Sequence, residues 1–178
     1  MARCLVTGHR GYIGSEVYKQ LKSLGHEVIG IDLQDGHDIL DCLKPGLDGQ
    51  FHPHWFNFKP DYIFHLAAIP RVAYSVENPI HVIENNVLSS LYVLEFARAC
   101  NTKRVIYSSS SSVLGDGDGP QNPYGSSKYM PESMCEVWSR LYGVDTVSLR
   151  YFNVYSPDQK ADGPYATAIA NWMQHIRD

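Results

Sequence analysis

Three glycines at fixed spacing constrain this chain more than any other feature. Gly8, Gly11 and Gly14 stand as G-x-x-G-x-x-G, directly behind the short apolar run Cys4-Leu5-Val6-Thr7. A helical pattern follows from Tyr12 to Leu24, with Ile13, Val17, Leu21 and Leu24 at helical spacing and Gly25 placed to stop it. A strand that runs through glycines into a helix must turn tightly. The missing side chains let the backbone approach a ligand closely. The helix start offers free N–H groups and a partial positive charge, so the expected ligand is an anion such as a pyrophosphate. A second strand, Glu27–Ile31, ends at Asp32, 18 residues after Gly14. That is near the spacing expected for a carboxylate on the ribose hydroxyls of NAD; a turn aspartate is the other reading. Arg10 pulls the opposite way, because it could meet the 2′-phosphate of NADP. Asp32 would repel that phosphate, and NAD is the expected cofactor.

The rest of the chain keeps alternating strand and helix. Asp38-Ile39-Leu40-Asp41 reads as a very short third strand, Tyr62–Leu66 as a fourth, Arg104–Tyr107 as a fifth and Thr146–Arg150 as a sixth. Long helices are expected near 80–100 and 124–142, the second with Gly143 just beyond it. Pro131 inside this second pattern predicts a kink or an irregular first turn. Alternation of this kind implies an α/β fold, a doubly wound parallel sheet with helices on both faces.

Composition narrows the function. A chain of 178 residues with 44% hydrophobic residues can form one domain with a sizeable core. A net charge of −4 offers no bulk positive field to nucleic acid. No apolar stretch approaches the ~18 residues of a membrane helix, and the start shows no signal-peptide pattern. Four scattered cysteines fit a reducing, cytoplasmic setting. The eight histidines include no H-x-x-x-H pair, and His52 and His54 fall in a loop-like stretch; no metal is expected.

Tyr124 and Lys128 stand four apart in Tyr124-Gly125-Ser126-Ser127-Lys128, one turn apart on one helix face. An ammonium beside a phenol favours the phenolate, so the tyrosine could serve as a base below its ordinary pKa of roughly 10. Alone, such a pair is more often what an ordinary exposed helix face carries.

The ordered set of motifs decides between these readings. Thr7 to Gly14 resembles T-G-x-x-G-x-x-G; Asp38-Ile39 matches a pair that contacts adenine; His65-Leu66-Ala67-Ala68 resembles H-x-A-A. Glu84-Asn85-Asn86-Val87 resembles N-N-V, and Ser108 to Gly115 resembles S-S-S-x-x-V-Y-G. Pro123 to Lys128 resembles P-Y-G-x-S-K, and Arg150 to Tyr155 resembles R-Y-F-N-V-Y. Through nearly its whole length the chain thus resembles the extended short-chain dehydrogenase/reductase family, particularly nucleotide-sugar epimerases of the UDP-glucose 4-epimerase type.

That resemblance implies a Rossmann fold with strand order 3-2-1-4-5-6. It implies Tyr124 as general base, Lys128 on the nicotinamide ribose, and Ser110 on the sugar oxygen that becomes a carbonyl. Cofactor contacts are expected from Gly8, Arg10, Gly11, Tyr12, Ile13, Gly14, Asp32, Leu33, Asp38, Ile39, Leu66, Ala67, Ala68, Asn86, Ser108, Tyr124, Lys128 and Phe152. Substrate contacts are expected from Ser110, Ser112, Tyr124 and Asn153; Arg71 reads as a solvated surface residue. The expected reaction is epimerisation of a nucleotide sugar, at C4, through a transient 4-keto sugar. Ser111 and Ser112 stand where the related dehydratases carry an Asp-Glu pair, which favours epimerisation over dehydration. The loop Gly8-His9-Arg10-Gly11 also resembles that of NADP-dependent GDP-fucose synthases, which epimerise and then reduce. A reading of another class is a non-catalytic nucleotide sensor, or an inactive form.

Family members run well beyond 300 residues, whereas this chain stops at Asp178. The expectation is a cofactor-binding domain over residues 1–178 with its catalytic residues and little of the C-terminal substrate domain. The chain is then a truncated form, a minimal member completed by another chain, or an inactive remnant. The helices near 80–100 and 124–142 are expected to pair across a homodimer.

Overall fold

The computed structural model describes residues 1–156 and, beyond them, 172, 175 and 176. Its elements run β1 (Arg3–Thr7), α1 (Tyr12–Ser23), β2 (Glu27–Ile31), α2 (Ile39–Cys42), α3 (Pro53–Phe56), β3 (Tyr62–His65), α4 (Val72–Glu77), α5 (Pro79–Ile83), α6 (Ser89–Cys100), β4 (Arg104–Ser110), α7 (Pro123–Tyr142) and β5 (Thr146–Tyr151). Short 3-10 turns lie at Leu33–Asp35 and Ser111–Val113, and a π turn joins α5 to α6 at Glu84–Leu88. The strands form a parallel sheet in the order β2-β1-β3-β4-β5.

This is the expected doubly wound order without its third strand. Asp38–Asp41 is not a strand. The Asp38 carboxylate accepts the Leu40 N–H at 2.8 Å, and its carbonyl accepts from Asp41 and Cys42, so the segment starts a helical turn. An aspartate that caps its own downstream backbone outweighs the strand tendency of two aliphatic residues. The stretch with His52 and His54 is likewise a helical turn, α3, which sinks Trp55 into the core.

Strand alternation splits the core between the two faces of the sheet. Leu5, Ile31, Ile63 and Val105 point to one face and meet Val93, Phe96, Ala97 and Cys100 of α6. Cys4, Val6 and Val28 point to the other, under Val17, Tyr18 and Leu21 of α1. Leu24, expected on that helix face, is instead an exposed C-cap. α7 lies beside α6, with Leu94, Tyr107 and Cys135 packed between them. It runs unbroken through Pro131, and its first turn is regular: Asn122 caps it by accepting the Gly125 N–H at 2.8 Å, and Pro123 stands at the position where proline suits a helix. The expected irregular first turn is therefore absent.

The strand register brings functional residues to one edge. Thr7 aligns with Ile31 and His65, and His65 with Tyr107. Gly8, Asp32 and Leu66 therefore leave the sheet side by side at its C-terminal edge, next to Ser108 in β4, which runs on to Ser110; this is where ligands bind open parallel sheets.

Candidate functional site

The glycine loop has the shape its spacing predicts. Gly8 has φ +72°. A side chain there would approach the Ala67 backbone nitrogen to 2.8 Å, and one on Gly14 would overlap the Gly8 carbonyl. The start of α1 is capped by Gly11 without any side-chain hydrogen bond, and no acidic residue stands in its first turn. Its N–H groups are thus left for an anion. Asp32 closes β2 beside them. It accepts the Arg10 backbone N–H at 2.9 Å and the Gln34 N–H at 2.9 Å, and keeps lone pairs for ribose hydroxyls. Open helix N–H groups, a loop with no room for side chains and a carboxylate at the next strand end fit a dinucleotide. Among the other residues expected here, Ala67 and Ala68 line the end of β3 half-buried, Leu33 is exposed, and the Ile39 side chain is in the core. The Tyr12 hydroxyl donates to Ser156 at 2.8 Å.

Asp35, which no sequence motif singles out, lies in the same corner. Arg10 Nη2 is 2.7 Å from its carboxylate, and Arg10 Nε donates to both of its oxygens at 2.9 and 3.1 Å. His9 Nε2 lies 2.9 Å from the same group. The Arg10 hydrogen bond holds the Asp35 carboxyl below the usual carboxylate range. His9 packs over Gly30, where any side chain would overlap its ring.

The second half of the site is buried. Tyr124, Ser110 and Lys128 are each less than a tenth exposed, which rules out the reading of an open helix face. Ser110 stands beside the Tyr124 phenol, where hydrogen bonding from its hydroxyl favours the phenolate. Ser110 Oγ also donates to Ser112 Oγ at 3.2 Å and accepts the Ser112 N–H at 3.2 Å. Lys128 Nζ donates to the Ser108 carbonyl at 3.0 Å and sits 5.3 Å above the Tyr107 ring. Burial pulls its pKa down to about 8. The expected depression of the tyrosine is not what results here. Burial raises the Tyr124 pKa, with the Ser110 hydrogen bond opposing it. The lysine charge is spent on a carbonyl and a ring rather than on the phenol.

Asn86 braces this half. It lies in the π turn, an irregularity that often marks functional segments of helices. Its side-chain oxygen accepts the Ile69 N–H at 2.8 Å, and its amide donates to the Ile69 carbonyl at 3.1 Å and to Ser127 Oγ at 2.9 Å. Ser127 in turn donates to the Tyr124 carbonyl at 2.8 Å, one turn earlier in α7, and the Tyr124 N–H donates to Ser75 Oγ at 3.1 Å.

A buried chain of hydrogen bonds ties Asn86 to the glycine-loop strand. The Ala67 N–H donates to Thr7 Oγ1 at 3.2 Å, and Thr7 Oγ1 meets His65 Nδ1 at 2.7 Å. His65 Nε2 meets Ser90 Oγ at 3.0 Å, and Ser90 donates to the Asn86 carbonyl at 2.7 Å. With the Ser90 proton committed to Asn86, Nε2 carries the ring hydrogen and Nδ1 accepts from Thr7. Burial, with the Lys128 charge behind it, lowers the His65 pKa to about 3 and keeps the ring neutral. The sequence placed His65 only in its H-x-A-A motif; its partners lie 58 and 25 residues away along the chain.

Phe152 and Asn153 lie exposed just past β5, outside this buried cluster. Among the described residues no cluster of three or more His, Cys, Asp or Glu stands ready for a metal.

Comparison with known proteins matches residues 4–178 to the NAD dependent epimerase/dehydratase family. The chain belongs to this family. Protein CapI of Staphylococcus aureus is 32% identical over 190 residues, covering 90% of this chain and 56% of its own. The family member UDP-N-acetylglucosamine 4-epimerase from Methanobrevibacter ruminantium, solved with UDP-N-acetylmuramic acid, superposes with a TM-score of 0.80 at 29% identity, over 99% of this chain and 63% of its own. The UDP-glucose 4-epimerase of Thermus thermophilus, solved with NAD, gives 0.77 at 29% identity, over 90% and 58%. The chain thus spans about three fifths of the length of these family members.

Proposed function

We propose that this chain carries the cofactor-binding and proton-transfer half of an NAD-dependent nucleotide-sugar epimerase acting at C4. The observation that carries this reading is the burial of Tyr124, Ser110 and Lys128 together at the same sheet edge as the open glycine loop. Two of the family members described above are 4-epimerases of UDP-sugars.

The glycine loop and α1 would hold the pyrophosphate, Asp32 the adenosine ribose, and Lys128 the nicotinamide ribose. NAD bound there would supply a hydride acceptor and donor and a positive charge. Ser110 would donate a hydrogen bond to the sugar O4, and Tyr124 would take its proton. Tyr124 would return that proton to the same oxygen after the 4-keto sugar has turned its other face inward. With its pKa raised by burial, Tyr124 is protonated at neutral pH in the chain by itself. Base catalysis therefore requires added positive charge beside the phenol, from the cofactor or from Lys128 leaving the Ser108 carbonyl. The substrate class is a nucleoside diphosphate sugar, with Asn153 and Ser112 as its proposed contacts.

We also propose a homodimer through α5–α6 and α7, whose outer faces expose Ile80, Leu88, Tyr129 and Met130. Light scattering at micromolar concentration would read a dimer mass; a strict monomer would remove this part.

The decisive experiment incubates the chain with NAD and a panel of UDP-, GDP- and dTDP-sugars, read by NMR for inversion at C4. Inversion of at least one sugar is expected. NAD binding with no inversion anywhere would favour a nucleotide sensor or an inactive form, and reduction with NADPH would favour the fucose-synthase-like reaction.

A further inference from the structure

An arginine in the glycine loop, beside the carboxylate that would receive the ribose, suits NADP as much as NAD. We propose that Asp35 sets the choice between the two cofactors, by holding Arg10 in an ion pair that keeps it from a 2′-phosphate. Asp35 has this role only if the loop binds a dinucleotide, as proposed above.

Arg10 is bound by Asp35 side-on, through Nε and Nη2, the edge with which a guanidinium best takes a carboxylate or a phosphate. Its own backbone N–H donates to Asp32. The guanidinium thus pairs with Asp35 directly, and the Asp32 carboxylate adds a weaker attraction at the end of β2. Arg10, Asp32 and Asp35 together carry one negative charge. A ribose 2′-hydroxyl meets no penalty in such a place, because Asp32 accepts from it. A 2′-phosphate meets two carboxylates and must displace one of them to reach the guanidinium.

The position of Asp35 is itself held. It lies in the 3-10 turn that Asp32 caps, followed by Gly36 with φ +76°. His9 reaches the same carboxylate from its other side, and lies against β2 only because residue 30 is glycine. Arg10 is more than half exposed, and exposed ion pairs contribute little to stability. The pair's consequence is therefore expected in ligand choice rather than in folding.

The test is titration of the purified chain and its variants with NADH and NADPH, followed by nicotinamide fluorescence. The parent should bind NADH at least about tenfold more tightly than NADPH. Asp35→Asn should tighten NADPH about tenfold, the scale of one released charge-assisted contact, and leave NADH within about threefold. In an Arg10→Gln background the same Asp35→Asn change should bring no gain. An unchanged NADPH-to-NADH ratio in Asp35→Asn overturns the proposal. So does an equal gain without Arg10, which would mark a general charge effect, and so does a parent that prefers NADPH. If Asp35→Asn loses the parent's far-UV circular dichroism, Asp35→Ser is read by the same criteria. A parent that binds neither dinucleotide overturns the cofactor reading and this proposal with it.

Discussion

The two halves of the site are built from opposite materials. Around the glycine loop the groups are charged, near the surface and paired with one another: Arg10 with Asp35, and Asp32 with the Arg10 backbone. Around Tyr124 the groups are buried, mostly neutral, and hydrogen-bonded to backbone and hydroxyls; the Lys128 charge faces a carbonyl and an aromatic ring. Surface charges can be exchanged at small cost to folding, so the loop half can tune which ligand it accepts. A buried cation without a carboxylate is costly in the folded state, and it persists where surrounding packing holds it. Under the proposed function, this contrast is a division of labour: recognition where solvent screens mistakes, proton transfer where it does not.

The largest expected effect breaks the buried half chemically. Tyr124→Phe should lower turnover of a responsive sugar about a thousandfold while leaving NADH affinity within about twofold. Steady-state kinetics beside a fluorescence titration would check both; a loss of binding equal to the loss of turnover would mean the phenol supports the fold rather than the reaction.

Next comes the charge. The folded-state pKa of Lys128, about 8, lies below its ordinary value of 10.5. Between those values the unfolded chain binds a proton that the folded chain does not, so stability rises with pH across that window and is flat below it. Relative to Lys128→Met, the parent should gain ~3 kcal/mol between pH 8 and pH 10.5. Paired urea unfolding curves would show it, and parallel pH profiles would remove the claim.

Asn86→Leu should cost about 2 kcal/mol, because it strands the Ile69 amide and carbonyl and the Ser127 hydroxyl in a buried place. Urea unfolding would measure it, and a shift below about 0.5 kcal/mol would show that water satisfies those groups. The smallest effect belongs to the surface. Arg104→Ala removes an ion pair with Asp145 whose side chains are both 49% exposed, and the same measurement should change by less than about 1 kcal/mol. A larger loss there would show that exposed ion pairs are not cheap to exchange in this fold, the premise of the contrast.

Local chemistry was legible in the sequence. The glycine loop, the strands that flank it and the Gly25 and Gly143 helix stops each depend on a few neighbouring residues. Asp38–Asp41 misled because a capping carboxylate and a short aliphatic strand look alike until the backbone bonds are counted. Distant pairings were not legible: Asp35 meets Arg10 across 25 residues, and His65 joins Thr7 to Ser90 only after three elements have packed. The Tyr124–Lys128 spacing showed that the two share a helix face. It could not show that Lys128 would turn to the Ser108 carbonyl, because that depends on where β4 passes beneath α7.

The π turn at Glu84–Leu88 bears on how this helix could change with time. A widened turn amounts to a single surplus residue in an otherwise regular rod. Loss of that residue would let the rod close into an ordinary helix with both flanking segments still in phase, so the fold would tolerate it. Asn86 would be swung away from Ile69 and Ser127. Architecture and chemistry are thus separable here by one codon, and a descendant of this chain could keep its shape while losing the brace beneath Tyr124.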